Sequence, residues 1–215
     1  MDTVSVEGVA SRLSRRWSTP ALLGAMAVAV GFVALFTLRY FTLDQEVFQF
    51  YWPRRGWLLL HITGGIVALL TGPGQLWLGL NRTHLQLHRR LGVAYMASVA
   101  ASSLAAFYLA AHTDFGWVFG AGLTGLAVAW LVTTGLAFIA VRRGLIHQHQ
   151  EWMIRSYVVT FAFVTFRIFA GILQVTGVGT LTEQLAAASW FCWAFPLLVT
   201  ELILQGRKVL GSARP

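Results

Sequence analysis

Apolar residues in this chain fall into six long blocks, with neither strict alternation nor short amphipathic stripes between them. The blocks cover about residues 20–41, 57–80, 91–111, 116–141, 152–175 and 185–205. Each holds roughly 20 or more mostly apolar residues, the length a helix needs to cross bilayer hydrocarbon. Only helices and closed barrels satisfy every backbone group in lipid, and no period-2 pattern supports a barrel. The pattern predicts an all-α integral membrane bundle of six helices, a single transmembrane domain over residues 1–215. The connections are short. The longest, residues 42–56, carries Asp44, Glu46, Trp52-Pro53 and Arg54-Arg55 and is expected as an external loop with an aromatic anchor.

Composition agrees, with 57% hydrophobic and 11% charged residues and a mean hydropathy of +0.66, which leaves no room for a soluble domain. A net charge of +8 invites a nucleic-acid reading, but the placement of the cations argues against it. Arg12, Arg15, Arg16, Arg82, Arg89, Arg90, Arg142, Arg143, Arg155, Arg207, Lys208 and Arg214 fall on one side of the spans. Only Arg39, Arg54 and Arg55 fall on the other, and Arg167 is inside a span. By the positive-inside rule both termini are cytoplasmic, in a plasma or inner membrane, and the bilayer is the partner. The first block is too long for a signal-peptide core and is expected as a retained helix. The lone Cys192 excludes an internal disulfide and is expected as a small apolar packer.

Chemistry is sought in the polar residues that interrupt apolar blocks, because ionisable groups in a span are costly unless they face a bundle interior. Arg167 stands 18 residues after His149. On one straight helix that spacing returns to the same face about 27 Å further along. His149, Trp152, Met153, Ser156, Thr160, Phe163 and Arg167 then form one stripe. In the second span His61, Gly65, Ala68, Gly72 and Gln75 share a face whose small residues leave room for a ligand. Gly72-Pro73-Gly74 invites a kink there. The alternative is that His61 bonds a carbonyl and the glycines only let helices approach.

His88 opens the third span and His149 the fifth, at the same predicted depth. Two neutral imidazoles on different helices suit the axial ligands of a b-type haem, with Gly92 one turn away making space for the macrocycle. His61, Gln75 and Arg167 would line the cavity, and Arg167 would meet a propionate or a quinone oxygen. A competing reading has these residues fixing register and binding lipid headgroups. A third is a buried hydrogen-bond network that only specifies the fold.

Other features carry less chemistry. Gly116, Gly120, Ala121, Gly125 and Ala129 form a small ridge for close helix approach. Most tryptophans fall at interfaces, while Trp130, Trp190 and Trp193 are expected to pack more deeply. His84, His88, His147 and His149 form a weak candidate for zinc or copper, and Glu201 is expected to snorkel or pair with an arginine. No nucleophile-elbow, phosphate-loop or zinc-protease motif supports a hydrolase, and no internal repeat suggests a transporter.

Four motifs in order carry a resemblance: His61 leading to Gly72-Pro73-Gly74-Gln75, then His88-Arg-Arg-Leu-Gly92-Val-Ala-Tyr95, then His149-x-x-Trp152-Met153-x-Arg155-Ser156, then Thr165-Phe-Arg167. The chain resembles a bacterial family of predicted multi-pass membrane proteins of unknown function, DUF2306. The resemblance implies the architecture and the choice of polar residues, and no mechanism. A more distant similarity is to six-helix dihaem cytochromes b that use ascorbate, which place paired histidines at both membrane faces. The fourth span here has no histidine, so one haem is expected, not two. The expectation is a haem- or quinone-binding redox protein with one bis-histidine site at His88 and His149; alternatively, a non-enzymatic small-molecule or lipid-binding permease or accessory protein.

Overall fold

The computed structural model describes residues 6–211, with side chains from 19 to 210. Arg214 lies outside the described residues, as do the side chains of Arg12, Arg15, Arg16 and Trp17. Eight helices follow in order among the described residues: α1 (Val6–Phe32), α2 (Gln45–Phe48), α3 (Arg55–Asn81), α4 (Leu85–Ala111), α5 (Trp117–Arg142), α6 (Ile146–Thr160), α7 (Ala162–Thr176) and α8 (Leu181–Gly211). α1 loosens into a π-helical turn at Val33–Thr37 and then tightens into a 3₁₀ turn at Leu38–Thr42. No strand is present among the described residues.

Five stretches are each long and apolar enough to cross a membrane: Thr19–Thr42, Gln45–Asn81, Leu85–Ala111, Trp117–Arg142 and Leu181–Leu210. α6 and α7 pass that test only together, as one span bent by 40°. Short connections make neighbouring spans antiparallel. One end of the bundle therefore collects Arg82, Arg89, Arg90, Arg142 and Arg143 and is called the basic end below. At the far end, Arg54 pairs with Asp114 at 3.1 Å and ties the α2–α3 turn to the α4–α5 loop.

The bend in the fifth span corrects the straight stripe from His149 to Arg167. It contains neither proline nor glycine. The Thr160 hydroxyl bonds back to the Ser156 carbonyl (2.8 Å), and the Val164 N–H turns to Phe161 O, three residues back (2.9 Å). Hydroxyls that bond to the carbonyl four residues earlier are a known source of helix bending. Beyond the bend, α7 presents Arg167 to a different neighbour from the one that faces His149.

Two prolines inside helices bind this bent span to the rest. Pro73 cannot donate to the Leu69 carbonyl, and the Tyr157 hydroxyl donates to it instead (3.2 Å). Gly72 clears the way, because a Cβ there would strike the Tyr157 ring. Pro196 likewise frees the Cys192 carbonyl, which accepts from the Thr165 hydroxyl at 2.7 Å. α3 runs through Pro73 as one helix, and the orphaned carbonyl is satisfied from α6. Cys192 itself is fully buried, as a packer should be.

Candidate functional site: two cavities separated by a hydrogen-bonded core

Three layers stack along the axis between α3, α4, α5 and the bent span. At the basic end, His88 near the start of α4 and His149 near the start of α6 stand with ring centres 6.3 Å apart and planes at 88°. His149 Nδ1 lies 2.9 Å from the Ala137 carbonyl. A carbonyl only accepts, so Nδ1 carries the proton and the Nε2 lone pair of the neutral ring is free. His88 Nδ1 is buried without a hydrogen-bond partner among the described residues. Both imidazoles line a cavity of about 350 Å³, within the ordinary range for ligand pockets of roughly 300–1,000 Å³.

Gln75 lines the same cavity and donates from Nε2 to the His88 carbonyl at 2.8 Å, which holds the first turns of α4 against α3. The glycine beside the imidazole is not Gly92, which faces the Gln75 amide, but Gly79 on α3, in contact with the His88 ring. Arg82 and Arg89 stand at the exposed rim. Sequence reasoning overlooked these three residues. A glycine near a helix end and two loop-side arginines look like capping and topology until the helices are placed.

The middle layer is a closed polar network. The Tyr95 hydroxyl lies 2.8 Å from Ser156 Oγ and 2.7 Å from Thr160 Oγ1. Trp130 donates from its indole to Thr160 at 2.8 Å, and Thr134 joins Ser156 at 2.7 Å. All five side chains are buried. Part of the predicted stripe, Ser156 and Thr160, is therefore engaged in a buried hydrogen-bond network.

The far layer holds His61, which does not meet the other histidines. Ser102 Oγ spends its one proton on the His61 carbonyl (2.8 Å), so its 3.0 Å contact with His61 Nδ1 must be an acceptance. Nδ1 also lies 3.0 Å from Ser102 O, again as donor. His61 therefore has a fixed tautomer with a bare Nε2. Its ring packs on Phe163 at 5.0 Å, and Phe163 packs on Trp130 at 5.7 Å. The small face of α3 leaves no room for a ligand: Gly65 is met by Phe163 and Gly72 by Tyr157. Here the simple packing alternative holds.

His61 and Arg167 line a second cavity of about 210 Å³, distinct from that of His88, His149 and Gln75. The single enclosed space expected for all five residues is thus replaced by two. Arg167 is not tucked inside the bundle. It is exposed at the edge of α7, on the side facing α1.

The remaining ionisable groups have plainer roles. Arg155, counted above as a flanking cation, is buried; its Nε and Nη2 each lie 2.7 Å from Glu201, and its guanidinium stacks on Trp152 at 4.6 Å. Glu201 is thus the partner of an arginine, as expected. Lys208 holds Glu151 at 2.8 Å, which brings the end of α8 to α6. Trp190 is exposed, contrary to the packing role expected for it, and its indole donates to Val118 O at 3.2 Å. Among the described residues no three metal-ligating side chains converge, so the four histidines form no zinc or copper cluster.

With the architecture in view, one comparison is decisive: a family described as predicted membrane protein (DUF2306) matches residues 58–204. The chain belongs to the DUF2306 family. No curated protein and no solved structure matches it. The DUF2306 match begins just before His61 and ends just after Glu201, so it includes both cavities' histidines, the bent span and the Arg155–Glu201 pair, and leaves out α1.

Proposed function

We propose that this DUF2306 protein is a membrane redox protein that holds one b-type haem between His88 and His149 at its basic end. The observation that carries the reading is the pair of imidazoles 6.3 Å apart on two helices, lining one cavity. A metal about 2.0 Å from a nitrogen of each ring sets the ring centres roughly 6 Å apart. A nitrogen of each ring could hold one metal whatever the angle between the ring planes.

The donor chemistry fits as well. His149 offers a bare Nε2 because Ala137 holds its proton, and no hydrogen bond competes for His88 Nδ1. Arg82 and Arg89 at the rim, in place of Arg167, would pair with the propionates. Gln75 fixes the backbone that carries His88. Bound haem would supply one-electron transfer. A lipid-soluble carrier of the quinone class is the partner that suits a protein confined to the bilayer. The excess of arginines at the basic end supports a cytoplasmic side for the haem, in a plasma or inner membrane.

The test is an absorption spectrum of protein purified from haem-replete cells. A Soret band, with α and β bands sharpening on dithionite, is expected in the wild type and in His61→Ala. It should vanish in His88→Ala and His149→Ala. A colourless, well-folded preparation overturns the reading. That outcome would favour a non-enzymatic permease or accessory protein, which the lipid-facing groove beside Arg167 also supports.

A further inference from the structure

We infer that the far cavity and the groove between α1 and α7 form one binding site for a lipophilic quinol, which reaches it sideways from the bilayer. The inference names the partner of the redox reading above, yet it rests on separate residues and its test needs no haem.

The access route comes first. A groove of about 670 Å³ runs between α1 and α7 and is closed at one end by Leu181, Gln184 and Leu185 of α8, and it shares Phe32, Phe36, Phe166 and Arg167 with the cavity that holds His61. Gly31 on α1 and Gly171 on α7 both line this groove, and an added Cβ would meet nothing within 4 Å at either position. Elsewhere in the bundle Gly64, Gly65, Gly72, Gly120 and Gly122 are glycine because a neighbouring helix presses on them. Gly31 and Gly171 have no such neighbour. Both border the open groove.

α1 also changes its winding here. It becomes π-helical over Val33–Thr37, and Phe36 and Thr37 of that turn line the cavity. Such irregular turns are frequent at functional sites.

The lining then selects the headgroup. Arg167 is a cation within a span, at the junction of groove and cavity, and among the described residues it has neither an ion pair nor a hydrogen bond. His61 turns a bare nitrogen lone pair to the cavity, because Nδ1 is committed to Ser102. Apolar and aromatic walls complete it, with the phenols Tyr40 and Tyr51 among them. A flat molecule with a hydroxyl to donate to His61, an oxygen for Arg167 and an apolar tail for the groove meets all three features. A hydroquinone with an alkyl or isoprenoid tail is such a molecule. A fatty acid would satisfy Arg167, but as a carboxylate it has no proton for His61.

The experiment measures binding of decyl-benzoquinol to the purified protein under anaerobic conditions, by ligand-dependent thermal stabilisation. The oxidised decyl-benzoquinone and oleate serve as comparison ligands. Quinol should stabilise the wild type. Arg167→Gln and His61→Phe should each weaken its apparent affinity by about tenfold or more, the scale of a lost hydrogen bond to a charged or buried group. The quinone, lacking the proton for His61, should bind more weakly than the quinol.

His61→Phe disturbs a packed ring, so Gly171→Phe provides the sharper variant. It fills open groove, should fold normally and should weaken quinol binding. Gly135→Phe, equally open but on α5 away from both cavities, should not. The inference is overturned if the wild type shows no quinol stabilisation, if Gly171→Phe and Arg167→Gln bind quinol like the wild type, or if oleate protects as well as quinol and displaces it.

Discussion

Arg155 and Tyr95 show what single side chains contribute in this bundle. Arg155 is buried with its guanidinium on Glu201 of α8, while Glu201 itself is 42% exposed. A fully buried pair broken on one side costs about 3–5 kcal/mol, but water at Glu201 discounts that here. Arg155→Met is expected to cost about 1–3 kcal/mol in detergent, read as a lower melting temperature. A double-mutant cycle with Glu201→Gln should recover part of the loss. Additive losses would mean the pair is a bystander. Tyr95 bonds two hydroxyls at once, and interhelical hydrogen bonds in membranes average about 0.6 and reach about 1.7 kcal/mol each. Tyr95→Phe should therefore cost about 1–2 kcal/mol and leave haem content unchanged. Loss of haem at unchanged stability would assign the network a part in the site.

At the level of elements, the bent fifth span is held by hydroxyls on carbonyls that prolines release. Removing the Tyr157 hydroxyl leaves the Leu69 carbonyl with neither its own helix's N–H nor a substitute. Tyr157→Phe is expected to cost about 1–3 kcal/mol, the penalty for a stranded buried acceptor. The paired glycine gives a contrasting prediction. Gly72→Ala drives a methyl into the Tyr157 ring and should destabilise by about 1–3 kcal/mol. Gly135→Ala, with open space around it, should be neutral or gain up to about 1 kcal/mol of helix propensity. Equal melting temperatures for the two alanine variants would contradict the packing described.

These details mark what was legible in the chain. Apolar block length marked which stretches form the long helices, because lipid thickness sets that length, although α4 and α6 each begin six residues before their blocks. The 100° periodicity also grouped His61, Gly65, Ala68, Gly72 and Gln75 correctly on the inward face of α3. It could not say what fills that face, because Tyr157 of α6 and Phe163 of α7 lie more than 80 residues away from the glycines they meet. The bend between Thr160 and Ala162 escaped notice for a related reason. Threonine and serine bend a helix only when their hydroxyls turn back on it, and Tyr95 and Trp130 on other helices decide that here.

For the whole molecule, helix adjacency divides the polar residues into two sites. That His88 and His149 lie at one level follows from depth alone, as both open spans at the basic end, though their facing one another needs the packing of the helices. The separation of Arg167 from them does not, since it depends on the 40° bend and on the gap beside α1. Between the cavities lie the buried Tyr95, Trp130, Ser156 and Thr160, joined by hydrogen bonds, with Phe163 packed against them. Two sites so divided should lose function independently. His88→Ala is expected to abolish the Soret band while keeping quinol-dependent thermal stabilisation, and Arg167→Gln to weaken quinol stabilisation while keeping the band. Without added quinol, Arg167→Gln should melt within a few degrees of the wild type, because the guanidinium makes no ion pair or hydrogen bond among the described residues, whereas His88→Ala should stay folded but lose the stabilisation that bound haem supplies. If either substitution removed both signals from a folded protein, the cavities would be functionally one, and the intervening layer would have to open during turnover.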